Sequence, residues 1–348
     1  MRKIYIVVAV PLVALLLVTG IALWIIFYHT STGTAPASSN LKLVIDHDGG
    51  ADDALAITMS LLYEAHFNGP EVVALTTTYG NVNQSQVIIN SARILELVDR
   101  SDVPIYAGAN RTLIKGIDSD YYFGNDGLGD DGYVASQQVK VESEHAAVGL
   151  IELSKQYEGE LIVMAIGPLT NIALAIRMDS NFIGRLSHLY VGGGNIYDPQ
   201  TAAEPEFNAD MDVESYYIVA DAAKLDKVTF VPFSQIKISL NITNDWRENV
   251  LGKIQTPIVQ ALNSFERVSF VQSTSWTLLD PAVAAITLNS SVVQETRNTT
   301  HGIILCGDQR GINTNDFASA SPNSKLVYSA NIETYKQLLI DIYSADLS

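Results

Sequence analysis

Residues 41 to 62 read LKLVIDHDGGADDALAITMSLL, and the fold follows from how this stretch divides. Its first six residues are a short apolar run that ends on Asp46. Its last third carries Ala54, Leu55, Ile57, Leu61 and Leu62 at helical spacing. Between them lie Asp46, Asp48, Asp52 and Asp53, divided by Gly49 and Gly50. A strand, a glycine turn and a helix start are the natural division. The turn then sits at the carboxyl end of a strand, where open α/β sheets place their ligands.

Four carboxylates within eight residues repel one another. Asp52 and Asp53 gain from the helix N-terminus, by about 0.3–1 kcal/mol each. Asp46 and Asp48 precede the turn and gain nothing from it. A hard, oxygen-seeking cation would hold them, with Ca²⁺ and Mg²⁺ as the candidates. The plainer reading, a capped helix with solvated neighbours, stays open on spacing alone. The loop is not an EF-hand, because the D-x-D-x-D-G pattern with a glutamate at position 12 is absent.

Outward from this stretch the pattern repeats. Strands are expected at 41–46, 72–78, 161–166, 188–192 and 227–232. Helices are expected at 51–64, 82–99, 144–157, 169–177, 212–223, 276–287 and 332–344. The alternation predicts an α/β fold with a mostly parallel central sheet covered by helices on both faces. Asn81 follows the second strand, Ile166 ends the third, and Asn195 follows the fourth and three glycines. One sheet would gather these ends at one rim.

The amino-terminal segment has a different character. Residues 4–28 are uncharged and nearly all apolar, long enough to cross a hydrocarbon core of about 30 Å. Signal peptides carry apolar regions of roughly 7–15 residues, so an uncleaved transmembrane anchor is expected, with a cleaved signal as the alternative. Arg2 and Lys3 put the N-terminus in the cytosol and the remainder outside or in a lumen. The expected division is an anchor or signal over 1–29, a flexible linker over 30–40 and one large domain over 41–348. Asn83, Asn110, Asn241, Asn289 and Asn298 open glycosylation triplets and agree with a glycoprotein facing a lumen.

Composition narrows the partners. There are 21 basic and 38 acidic residues, a net charge of -17, so nucleic acid is excluded as a partner. The single cysteine, Cys306, allows no internal disulfide and is expected in the core. The stretch Gly127-Leu-Gly-Asp-Asp-Gly132 matches G-x-G-x-x-G, but it follows no apolar strand, and its two acids would repel a pyrophosphate. No histidine pair has zinc-protease spacing, and no G-x-S-x-G elbow occurs.

DHDGGADDALA resembles the amino-terminal signature of the nucleoside hydrolases, the inosine–uridine-preferring type and its purine-specific relatives. Six further stretches follow in the family's order. They are Thr77-Thr78-Tyr79-Gly80-Asn81, Gly124-Asn125-Asp126-Gly127-Leu128, Ile166-Gly167-Pro168-Leu169-Thr170-Asn171, Gly192-Gly193-Gly194-Asn195, Glu206-Phe207-Asn208 and Leu279-Asp280-Pro281. The resemblance covers about residues 41 to 345 and implies the Rossmann-like nucleoside hydrolase fold. It implies Ca²⁺-dependent hydrolysis of ribonucleosides to free base and ribose, with homodimers or homotetramers by analogy. An outward-facing hydrolase would serve nucleoside salvage.

The resemblance also implies roles. Asp48 matches the acid that contacts Ca²⁺ and acts as general base on the attacking water. Asp53, Asp280 and the Ile166 carbonyl match further Ca²⁺ ligands, and Asp46 matches an acid behind the metal. Asp52, Asn81, Asn195, Glu206 and Asn208 match the ribose-binding set, with Asn208 counted also among the catalytic residues. These types suit the chemistry, because cleaving the bond builds positive charge on the sugar and carboxylates stabilise it.

Two positions depart from the pyrimidine-tolerant branch. Its histidine before the Asp280 position, which protonates the leaving base, is Leu279 here, and its histidine before Gly124 is Phe123. The His47-Asp48-Gly49 version of the signature and the eleven-residue step from Asn195 to Glu206 resemble the purine-specific branch. There, aromatic stacking raises the basicity of a purine ring nitrogen. Trp276, Phe123, Tyr121 and Tyr122 are candidates, so purine ribonucleosides are the expected substrates. The alternative is a non-catalytic ribonucleoside- or sugar-binding ectodomain on a membrane anchor.

Overall fold

The computed structural model describes residues 40–133, 139–196 and 204–345. Its sheet has nine strands. They are β1 (Lys42–His47), β2 (Glu71–Thr77), β3 (Ile105–Ala107), β4 (Leu161–Ala165), β5 (His188–Gly192), β6 (Val228–Val231), β9 (Val293–Ile303), β10 (Asn313–Asp316) and β11 (Ser324–Ala330). Two short strands, β7 (Ile242–Thr243) and β8 (Ser275–Trp276), pair apart from it. The order across the sheet is β10-β9-β11-β6-β5-β4-β1-β2-β3. From β3 to β11 every neighbouring pair is parallel, and β9 runs antiparallel to both β10 and β11.

Alternation within β1 explains the layers. Leu43 and Ile45 point into one apolar cluster with the helices Ala51–Phe67, Asp280–Leu288 and Ile332–Ser344. Val44 points into a second, with the helices Ala146–Gln156, Thr170–Met178 and Val213–Ala222. Both faces are therefore covered, which a parallel sheet requires. The chain runs outward from β1 through β2 to β3. It then lays β4 on the other side of β1 and continues to β5 and β6. The order reverses between β1 and β4, so a crevice opens at their carboxyl ends. Asp46 ends up paired with Thr76 of β2 on one side and with Ala165 of β4 on the other.

Several expectations are corrected. Among the described residues no helix is long and apolar enough to cross a membrane. The segment expected to do so, 4–28, lies outside the described residues, as does most of the linker. Among the described residues the fold is the α/β domain and holds no transmembrane helix, so the expected membrane attachment and anchored location are not carried further. The glycoprotein reading is withdrawn with them. Asn83 and Asn289 use their side chains to accept backbone N–H groups of Gln86 and Ser291, each at 3.0 Å. Cys306 is exposed rather than in the core, because it sits on the turn between β9 and β10. The helix expected from 276 begins at Asp280, since Trp276 belongs to β8 and Pro281 suits a first helical turn. β3, β9, β10 and β11 are strands that the alternation did not predict.

Candidate active site

The glycine turn brings its acids together through its own backbone. Gly49 adopts a φ of 83°, in the left-handed region that favours glycine. The Asp53 carboxylate then folds back on the turn. It accepts the Gly50 N–H at 2.6 Å and the Asp48 N–H at 3.1 Å. Asp48 accepts the Asn81 N–H at 2.8 Å, which ties the β1 end to the loop after β2. Asp52 accepts the Asp53 N–H at 3.2 Å. Asp280 enters from the first turn of its helix. Carboxylate oxygens of Asp48, Asp53 and Asp280 all lie within 4.8 Å of one another.

These three side chains are at most 3% exposed. Burial pushes the Asp48, Asp52 and Asp280 carboxyls well above the usual carboxylate range, and their mutual repulsion adds to it. Burial raises Asp53 to about 6 against its backbone hydrogen bonds. Asp46 is raised by burial to about 7. One Asp46 oxygen accepts the Thr76 hydroxyl at 2.6 Å and the Asn171 amide at 2.8 Å. Among the described residues its other oxygen has no partner, and neither does the buried Thr78 hydroxyl. The His47 ring lies 3.8 Å from Asp53, but burial lowers it to about 3, so it is neutral and supplies no counter-charge.

Buried like charges without a counter-charge call for a cation. An all-oxygen donor set suits a hard ion such as Ca²⁺ or Mg²⁺. Asp48, Asp53 and Asp280 could hold it, with the Ile166 carbonyl beside them. That carbonyl accepts the Asn208 amide at 2.9 Å, and the Ile166 N–H is anchored on the Asp46 carbonyl at 2.8 Å.

Above the acids is a cavity of about 550 Å³. Asp48, Asp52, Asn81, Phe123, Ile166, Glu206, Asn208 and Asp280 all line it, so the structure brings most of the sequence-predicted residues together. Glu206 caps the helix Phe207–Met211. Its carboxylate accepts the Gly194 N–H at 2.8 Å and the Asn208 and Ala209 N–H groups at 3.1 Å each. Burial raises it, while those bonds and the charge of Lys237 lower it.

Two expected residues stand apart. Asn195 does not line the cavity. Its side chain accepts the Ser234 N–H at 3.0 Å and donates to the Glu204 carbonyl at 3.1 Å, so it braces a loop. Trp276 is 4% exposed and points away, donating its ring N–H to Glu266, which also pairs with the buried Arg247. Tyr121 is exposed and outside the lining, whereas Tyr122 is within it, edge-on to Phe123 at 4.9 Å and 85°. Among the described residues that line the cavity there is no histidine, and Leu279 is one of them.

Sequence reasoning missed Asp120, Phe207, Phe233, Lys237 and Gln272, which also line the cavity. They lie outside any charge cluster. Only position mattered: Phe233 and Lys237 belong to the helix Phe233–Ser239, immediately after β6 and hence at the same rim. The G-x-G-x-x-G stretch is a turn closed by Asp126 and Asp130, each accepting the other's N–H at 2.9 Å. It supports the Phe123 loop from behind.

The sequence profile described as "Inosine-uridine preferring nucleoside hydrolase" matches residues 43–337. Uridine nucleosidase 1 of Arabidopsis thaliana is 35% identical over 190 residues, 49% of this chain and 54% of the relative. The inosine-uridine preferring nucleoside hydrolase of Crithidia fasciculata is 32% identical over 181 residues, 51% of this chain and 56% of the relative. The matched region thus spans about half the length of these curated relatives. Among solved structures, an inosine-guanosine nucleoside hydrolase superposes with a TM-score of 0.78 at 23% identity, covering 87% of this chain and 98% of its own. A purine-preferring ribonucleoside hydrolase from Gardnerella vaginalis gives 0.75 at 23%, covering 88% and 100%. The relatives span purine and pyrimidine preferences.

Proposed function

We propose, for a chain that belongs to the inosine-uridine preferring nucleoside hydrolase family, that it hydrolyses the N-glycosidic bond of ribonucleosides to free base and ribose. The observation that carries this reading is the meeting of Asp48, Asp53 and Asp280, of which Asp48 and Asp280 line the cavity. A bound Ca²⁺ would lower the pKa of a water and hold the ribose diol. The rest falls to the chain. Asp48 takes a proton from the attacking water, at hydrogen-bonding distance. Asp52, Asn81, Glu206 and Asn208 face the sugar and pair with its hydroxyls, which offsets their own burial. The carboxylates stabilise the positive charge that develops on the ribose as the bond lengthens.

Purine ribonucleosides are the preferred substrates in this reading. The support is the aromatic lining of Tyr122, Phe123 and Phe233 together with Leu279 at the position of the other branch's histidine. Ribose release from inosine, adenosine, guanosine and uridine tests both parts. The expected result is turnover of the purine nucleosides that Asp48→Ala abolishes. Comparable kcat/KM on uridine and inosine contradicts the base preference. A folded chain that releases no ribose from any of the four contradicts the activity.

A further inference from the structure

Any nucleosidase must also deal with the base as it departs, and the histidine position is filled by Leu279. Among the described residues that line the cavity, five are carboxylates (Asp48, Asp52, Asp120, Glu206 and Asp280) and one is a cation, Lys237. Lys237 is exposed, and among the described residues no hydrogen bond or ion pair engages its ammonium group. Its ammonium group lies over the face of Phe233, 4.2 Å from the ring centroid. Lys237 and the buried Glu206 line the same cavity, and the ammonium charge lowers the Glu206 carboxyl against the burial that raises it. Phe233 and Lys237 are four residues apart on one helix, so the ring and the ammonium group share a face. That face borders the cavity from the β6 side.

We propose that Lys237 receives the leaving base, as the hydrogen-bond donor and positive charge that stabilise the negative charge growing on it when the glycosidic bond breaks. This role rests on the nucleosidase reading and deepens it. In the step, the C1′–N bond breaks with its electron pair going to the base nitrogen. The water oxygen forms the new bond to C1′, and its proton goes to Asp48. The base anion then takes a proton from solvent and Asp48 returns its own to solvent, so nucleoside and water become base and ribose. Lys237 keeps its own protons throughout and acts by charge and donation alone. An ammonium group donates and never accepts. It therefore suits bases that present an exocyclic carbonyl oxygen beside an acceptor ring nitrogen, the 6-oxopurines, better than a 6-aminopurine.

The test compares two leaving groups in wild-type protein and in Lys237→Met. Inosine departs as a poor leaving group and needs stabilisation. 4-Nitrophenyl β-D-ribofuranoside departs as a stable phenolate and does not. The expected result is a fall in kcat on inosine on the order of 10–100-fold. On the nitrophenyl riboside the change should stay within about twofold. Lys237→Arg, which restores the charge, should recover most of the inosine rate. An equal fall on both substrates, or no fall on inosine, overturns the role. Wild-type protein that cleaves the nitrophenyl riboside and not inosine overturns the nucleosidase reading instead, and this role with it.

Discussion

The acids of the cluster are held differently, Asp48, Asp52 and Asp53 by backbone N–H groups and Asp46 by side chains, and the consequences of removing them differ. Asp48 is positioned by the Asn81 N–H and faces the cavity, so its loss should remove the general base. Asp48→Ala is expected to lower kcat by about 10²–10⁴-fold, measured as ribose release from inosine. Asp280 enters from the first turn of its helix and contributes through its charge. Asp280→Asn should leave the fold intact and weaken Ca²⁺ binding at least about tenfold, as read by calorimetric titration of the metal-free protein. Unchanged affinity would remove Asp280 from the ligand set. The four acids of the glycine turn were legible because they crowd one short stretch, and crowding is visible in one dimension. Asp280 was visible only through its resemblance to a family motif. Lys237 and Gln272 were not visible at all, because an isolated polar residue in a loop or short helix gives no local sign of what it faces. Trp276 shows the opposite failure. An aromatic near a motif invites a stacking role, yet its ring N–H is committed to Glu266 beside a buried arginine. Trp276→Phe leaves that acceptor without its donor, so a stability loss of about 1–3 kcal/mol is expected in urea titrations, with KM for inosine within about twofold. A large rise in KM would return Trp276 to the base site.

The loops after β1 and β2 are built as a pair. A Cβ on Gly80 would lie 1.8 Å from an Asp48 carboxylate oxygen, and one on Gly50 would lie 2.1 Å from the Asn81 side-chain oxygen. Glycine is required there for space. Gly80→Ala is expected to keep the far-UV circular dichroism of the wild type and to lose most of kcat, because Asp48 must swing away. Retained turnover would show that the carboxylate tolerates displacement. The parallel strands were legible because burial on both faces makes them continuous apolar runs. The three strands at the far edge were not. β9 reads VQETRNTTHGI, mostly polar and half exposed, and only its pairing with β11 and β10 makes it a strand. β3 is three residues long, below what periodicity can register.

Across the whole molecule, the reversal of strand order between β1 and β4 decides where the chemistry can be, and the acid-rich turn lies on that crevice. On β9, His301 is buried between Tyr216 and Asn315, at 2.8 Å from each, and burial lowers it to about 4. A histidine held below its unfolded value of 6.5 contributes stability above that value and loses it as pH falls from about 6.5 towards 4. By pH 5 the loss from this group is about 2 kcal/mol. Urea midpoints at pH 7 and pH 5 should therefore converge in His301→Gln more than in wild type. Equal pH dependence in the two proteins would show that His301 does not carry it.

The central claim is that a cation held by Asp48, Asp53 and Asp280 makes this cavity a nucleoside hydrolase. The most direct measurement is reducing-sugar release from inosine by one preparation in three states: as purified, after EGTA treatment and dialysis, and after Ca²⁺ is restored. The expected result is release that stops without the ion and returns with it. Release that continues unchanged in protein shown by elemental analysis to be free of divalent metal would contradict the claim.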